Sequence, residues 1–575
     1  LTLSDVRIHT VASMHARSVM LFYEVTSSSI TVESSSIFAT ADSSAAALVV
    51  RGSSTGVTVM LPKDNIVNVT ADRHGTAEAL TFAGVANSSL VIGDHNHFSV
   101  ETAHSNAAIF IDISGTSQQW RTTIGERNTM SVAARAQAEM FLFRELVSNS
   151  TVTIFGSGNV LRALAFVSSS SRLFRMLKGA SDFDFSVLGH GNLFAAEQNG
   201  TGTTTELLVL QATTQRSSFR ISGSRNQFRT AAPLGSDVAM FHFGKLDNST
   251  FHVSGSDNSF TILAGASSCE MFTFAGVSRS AIILSGHRSL FDARSPTRRG
   301  ECSLFYFLLG VTNMLVQSSG DSVSLLVNAT SVSLLVFEAS VTNSTILSTG
   351  VNLSMTAIAT SANARLLVFT GIVKQTIIRI DRLARLTVSA TSAATLLRFP
   401  QQMVTSHIIL RDVATTLNLS GNSASTFGSL FFSESSASSE NNISVCRVNI
   451  SQFYAKTFSG KYWECGFPPG SGVTSPIRVN GPEGQAILSV PTARITPMPC
   501  DPNWCYATDT ETKSETSTTS RIVVSDTDEV PPSGTGVPEL ASSAPTSPAQ
   551  LPAPLGGVSP LPSSRNQSIL FMVIG

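Results

Sequence analysis

An apolar patch of the form Leu/Met-x-Phe returns along this chain about every 32 residues, and no other feature restricts the fold as tightly. It appears as Leu80-Thr81-Phe82, Phe141-Leu142-Phe143, Phe241-His242-Phe243, Phe272-Thr273-Phe274 and Phe305-Tyr306-Phe307. It continues through Leu335-Val336-Phe337, Leu367-Val368-Phe369 and Leu397-Arg398-Phe399 to Leu430-Phe431-Phe432. From Phe243 onward, successive anchors lie 31, 33, 30, 32, 30 and 33 residues apart. A second mark, G-x-x-N-x-apolar, follows each anchor with the same period. Its asparagines are Asn96, Asn128, Asn159, Asn192, Asn226 and Asn258, spaced by 32, 31, 33, 34 and 32, with Ser289 as a variant. Two independent marks sharing one period define a repeat unit.

Between the marks lie short β-branched or aromatic runs, such as Phe219-Arg220-Ile221 and Phe251-His252-Val253, bounded by Gly, Ser and Asn. These are strand signals, and no stretch sustains the 3.6-residue period of a capped helix. Each unit therefore holds about three strands and three turns. Propeller blades need longer units and leucine-rich repeats shorter ones. The reading is an all-β parallel β-helix solenoid over residues 1–455, regular from about residue 18. Coils stacked about 4.8 Å apart turn each repeated residue into a column. The Asn column is expected to ladder, the preceding Gly to supply a positive φ for the turn, and the apolar residue after Asn to face inward. The same logic stacks Cys269 on Cys302, each five residues before its anchor Phe, and predicts a disulfide between them.

Composition supports buried strands. Only 13% of residues are charged while 42% are hydrophobic, and mean hydropathy is +0.18, yet no uninterrupted apolar run is long enough for a complete transmembrane helix. A net charge of −1 without a basic, aromatic-interleaved cluster argues against nucleic acid as a partner. Six cysteines suit an oxidising compartment, with Cys446–Cys465 and Cys500–Cys505 as the remaining expected partners. About a dozen N-x-S/T sequons occur; Asn87, Asn149, Asn248 and Asn343 all fall in one turn of the repeat and are the expected glycosylation sites.

Beyond the repeat, residues 456–505 hold Trp463-Glu464-Cys465 and the Cys500–Cys505 segment, and read as a small capping or membrane-proximal module. Residues 506–567 are Ser/Thr/Pro-rich and read as a disordered stalk. Residues 568–575 turn apolar and read as the start of a transmembrane anchor.

The period and the G-x-x-N mark resemble the right-handed parallel β-helix of pectin-lyase-like proteins and of bacterial and protist surface proteins, over about three quarters of the chain. They are also similar to large repetitive membrane-associated proteins of free-living protists. Pectin-degrading members imply a Gly-His-Gly with paired aspartates and an Arg-x-Lys. Gly189-His190-Gly191 is present, but neither companion is, and glycoside hydrolysis needs two carboxylates. Asp182 and Asp184, two apart and expected on one strand face, read as exposed polar residues before they read as a Ca²⁺ site. His95, His190 and His287 sit at differing offsets and make no metal column. No catalytic residue, metal or cofactor is expected. Two functional classes remain: a cell-surface, membrane-anchored structural or adhesive scaffold that meets a carbohydrate or protein ligand, and a carbohydrate-active lyase or hydrolase. The absence of a basic and acidic cluster spanning several coils favours the scaffold.

Overall fold

The computed structural model describes residues 1–419, apart from short segments (13–14, 17–18, 73–74, 105–106, 168–169, 202–203, 235–236, 266–267 and 297–299), together with the backbone of five strands beyond them. Of the chain's two compact units, the one containing the solenoid is described below. The other, Thr508–Ile569, lies outside the described residues.

The chain winds as an all-parallel β-solenoid with no helix among the described residues. Every coil contributes one strand to each of three sheets. In one coil these are Thr250–Val253, Ser259–Ala264 and Cys269–Ser278; in the next they are Ala281–Leu284, Leu290–Arg294 and Glu301–Phe307, with a short fourth piece at Val311–Thr312. The second sheet stacks fourteen such strands. Up to residue 419, register steps run from 28 residues (Met20↔Leu48) to 34 (Asp184↔Ser218). The first coil pairs from Thr2, earlier than the regular sequence repeat suggests, because strand pairing needs alternation but not the Phe and Asn marks. Pairing in the first sheet also runs past residue 455: Gly460–Cys465 lies parallel to Asn441–Cys446, and Ile495–Pro497 lies beside it. The rest of the expected capping module, the Ser/Thr/Pro-rich stalk and residues 568–575 lie outside the described residues. Among the described residues no helix is long and apolar enough to cross a membrane.

Inward residues build the core as columns. Phe194, Phe228, Phe260 and Phe291, each two residues after the turn mark, stack face to face with centroids 4.5–4.8 Å apart. The anchor phenylalanines do the same from Phe243 through Phe274, Phe307, Phe337 and Phe369 to Phe399, at 4.6–5.2 Å. Rings one coil apart lie within 12° of parallel, so the repeat turns one residue choice into an extended aromatic stack.

The glycine of the turn mark has a different role from the one its sequence context suggests. Gly93, Gly125, Gly156, Gly189, Gly223 and Gly255 are not among the positive-φ residues; the left-handed position is the residue just before the Asn, occupied by His95, Arg127, Gly158, Gly191, Arg225 and Asp257. The repeated glycines stand in a column of their own, where backbones of adjacent coils nearly touch. A Cβ on Gly189 would meet Gly156 O at 1.8 Å, and one on Gly223 would meet Gly189 O at 1.9 Å. Close approach of main chain, not turn geometry, excludes side chains there.

Candidate binding groove

Most polar side chains in the turns are occupied in joining coil to coil. Asn96, Asn128, Asn159, Asn192, Asn226 and Asn258 are all buried. The Oδ1 of each accepts the backbone N–H of its counterpart one coil earlier at 2.8–3.0 Å, from Asn65 through Asn226. As far as Asn226 Oδ1 it also accepts that counterpart's Nδ2. The Nδ2 groups of Asn128, Asn159 and Asn258 donate to carbonyls of the glycine column as well. The ladder begins one coil before the sequence mark, at Asn65, where no Gly precedes the Asn by three. Replacing Asn192 by Ala removes the acceptor of the Asn159 main-chain N–H and leaves Asn159 Nδ2 with the Gly156 carbonyl alone. It is expected to cost about 1–3 kcal/mol, read as a shift in denaturant midpoint. A cost no larger than that of Ser substitution at the half-buried Leu193 would deny the ladder a role in stability.

A second ladder, of serines, was hidden in a Ser-rich sequence. Ser88, Ser150, Ser217, Ser249, Ser280, Ser344 and Ser406 are buried. Each donates its hydroxyl to the carbonyl two residues back. Most accept an N–H from the coil before, as Ser249 does from Ser217 at 3.1 Å. The residue before each serine is left-handed: Asn87, Asn149, Asn248 and Asn343 have φ of 46–49° and are exposed. These four sequons therefore share one exposed column, and the fold also supplies a reason for them unrelated to sugar. Asn tolerates the left-handed turn, Ser carries the ladder, and Ser or Thr opens the next strand.

The residues that suggested chemistry belong to the same bonding scheme. His190 is exposed, donates its main-chain N–H to Ser157 Oγ at 3.0 Å and accepts the Ser224 N–H on Nδ1 at 2.9 Å. His287 accepts the Asp321 N–H in the equivalent place at 3.2 Å; His95 sits one position later, in the left-handed column. Asp182 lies in the turn at φ 52°, not on the strand with Asp184. It forms a two-pronged pair with Arg216 at 2.7–2.8 Å, which holds its carboxyl below the usual range. Asp184 accepts from Ser186 Oγ. Cys269 and Cys302 form a disulfide with Cα atoms 4.5 Å apart, both buried. Cys446 and Cys465 are Cα partners in adjacent strands; Cys500 and Cys505 lie outside the described residues. Among the described residues no group of three or more His, Cys, Asp or Glu could hold a metal ion.

The third sheet carries a feature that sequence reading missed. Just before each anchor, two consecutive side chains face the core: Leu207 and Leu208, Met271 and Phe272, Leu304 and Phe305, Leu334 and Leu335. A straight strand alternates, so the strand turns a corner at this point, and outward residues flanking the corner converge. Thr273 Oγ1 reaches Glu270 Oε2 at 2.6 Å and Thr81 Oγ1 reaches Glu78 Oε2 at 2.7 Å. The stacked corners form a groove along the solenoid. Its early part is filled by Ile109, Leu142 and Leu177 and by an ion chain. Glu139, fully buried, meets Arg175 at 2.7 Å and Arg172 at 3.2 Å; Arg172 meets Glu206 at 2.6 Å, and Glu206 lies 3.3 Å from His242 Nδ1. Burial pushes the Glu206 carboxyl up, but the His242 hydrogen bond and the Arg172 charge outweigh it and hold the group below its ordinary value. Farther along, the column that carries Glu139, Arg172, Glu206, Ala239 and Glu270 continues with two successive small residues, Ser303 and Ser333. A pocket of about 200 Å³ opens there, bounded by Glu270, Glu301, Tyr306, Glu338, Arg365 and Arg398. Burial raises the Glu270 carboxyl above its ordinary range, and burial together with the neighbouring Glu338 pushes the Tyr306 hydroxyl up to about 12.

No family model matches the chain, and no curated protein or solved structure matches it either. What the molecule is like thus rests on its own geometry: a laddered parallel β-solenoid with a charged groove along its third sheet.

Proposed function

We propose that the chain is a cell-surface structural or adhesive scaffold that performs no reaction of its own. The observation that carries this reading is the continuity of coil-to-coil bonding. Asn, Ser, His and Asp side chains that could serve catalysis are instead committed, coil after coil, to holding the next turn in register. Such a construction favours a stiff, extended presenting surface. The buried Cys269–Cys302 bond supports an oxidising location. The exposed column Asn87, Asn149, Asn248 and Asn343 offers sites where glycans could be carried without burying them.

The test has two arms. Antibody against the solenoid is expected to label intact, unpermeabilised cells of the source organism; labelling only after permeabilisation overturns the surface assignment. Glycosidase treatment of the natural protein is expected to increase its gel mobility, and Asn→Gln at the four positions to abolish most of that shift. Unmodified peptides at all four positions would leave the sequons to the turn and the serine ladder alone. Sustained release of reducing ends or unsaturated products from polysaccharides would overturn the non-catalytic reading in favour of a carbohydrate-active enzyme.

A further inference from the structure

We propose that the pocket beside Tyr306 binds a small zwitterion, with its ammonium toward Glu270 and Glu301 and its carboxylate toward Arg365 and Arg398. Three observations carry this. The pocket has a built cause: beyond Glu270 the column carries two small residues in succession, Ser303 and Ser333, where the earlier column has only the single Ala239 between large neighbours, and the groove opens there. Its charges are ordered along the stack. Glu270 and Glu301 come from the two coils at one end, and Arg365 and Arg398 from the two at the other, with only the coil of Ser333 and Glu338 between. Its volume, about 200 Å³, is below that of pockets for drug-sized ligands and suits a single amino-acid-sized molecule.

Coil spacing sets the match. The coils of Glu301 and Arg365 are two steps apart, about 10 Å, and their long side chains shorten the gap between charged ends. A ligand with cation and anion several bonds apart spans that gap. Charge-assisted hydrogen bonds at both ends make each charge count, while Val336, Val368 and Pro400 offer apolar wall to the chain between. The carboxyls of Glu270 and Glu301 repel one another, and burial already disfavours the charged form of Glu270; an ammonium placed between them relieves both effects. Both arginines have further interactions in the structure. A guanidinium carries five N–H donors and can serve more than one acceptor, so the proposal does not require either to be unpaired. Nor does it depend on where in the cell the protein resides.

Calorimetric titration of the full chain with 5-aminopentanoate, pentylamine and pentanoate separates the contributions. The zwitterion is expected to bind at least about tenfold more tightly than either singly charged analogue. Ser333→Leu, which refills the column as in the earlier coils, is expected to abolish binding. Glu301→Gln, at an exposed position, is expected to weaken the zwitterion about tenfold while thermal unfolding stays unchanged. Equal affinity for pentylamine would make the pocket a cation site and overturn the proposal, as would equal affinity for pentanoate. Binding that survives Ser333→Leu in a folded protein would place the ligand elsewhere. No saturable binding up to about 10 mM would make the pocket a packing feature only.

Discussion

Replacing Cys269 and Cys302 together by Val is expected to lower the unfolding free energy by about 3 kcal/mol. The bond closes a loop with a sequence separation of 33, and restricting a loop of that length in the unfolded chain is worth roughly 3–4 kcal/mol. Valine is the substitution that isolates the cross-link from packing, because it already stands on both sides of the pair. Val238 is the register partner of Cys269, Val332 is that of Cys302, and both valines are fully buried. The double variant therefore keeps a filled column and loses only the covalent link. Either single variant, which leaves one buried thiol, should lose about as much as the double. Denaturant midpoints at constant m-value measure the difference. A double variant as stable as the parent would show that stacking alone fixes the register and that the bond adds nothing to it. The pair occupies adjacent rows of a continuous stack, so a stapled coil is also expected to resist local opening. Backbone amides of Glu301–Phe307 should exchange faster in the variant than those of distant coils.

That pairing was legible because a solenoid maps sequence onto space in the simplest way: residues one period apart become neighbours. The same map exposes the Asn column and the anchor Phe column. It does not reveal why a residue recurs. Glycine three residues before Asn reads as a turn residue, since permissive φ is the commoner reason for glycine, yet it is the close approach of Gly156 to Gly189 that excludes a side chain. The serine ladder was masked by composition, because a recurring Ser carries little information in a chain this rich in Ser. The groove was hidden for another reason. Glu270, Ser303, Ser333 and Arg365 stand one period apart in a single column, but they differ in type, so no motif marks it, and only the corner in the strand makes that column part of a groove. A signal did exist, in the doubled apolar pair before x-Phe, as in Leu334-Leu335-Val336-Phe337. A strand facing the core at two successive positions cannot be straight. At His190 the tripeptide has a structural explanation: Gly189 opens the turn mark, Gly191 holds its left-handed position, and the histidine between them accepts the next coil's Ser224 N–H.

Two glycines within three residues separate close packing from turn geometry. Gly189 has no positive φ, but a Cβ there would stand 1.8 Å from Gly156 O and 2.4 Å from its carbonyl carbon. Gly191 has φ +63° and no atom within 4 Å of an added Cβ. If the glycines served only the turn, Gly191→Ala would be the costlier change. The stacked backbones imply the reverse. Gly191→Ala should cost about 1–2 kcal/mol, the ordinary price of a left-handed alanine, and Gly191→Asn should recover most of it, since Asn352 holds the same column at φ 58°. Gly189→Ala must force two coils apart where main chain meets main chain, at the point where the Gly156 carbonyl also accepts Asn159 Nδ2 at 3.0 Å. Overpacking of this kind costs about 3 kcal/mol or more when neither neighbour is a flexible side chain, and no substitution by Asn should rescue it. Urea unfolding of the four proteins (parent, Gly189→Ala, Gly191→Ala and Gly191→Asn) gives the order directly. A Gly189→Ala protein no less stable than Gly191→Ala would mean that the coils separate easily, and that the glycine column does not set their spacing.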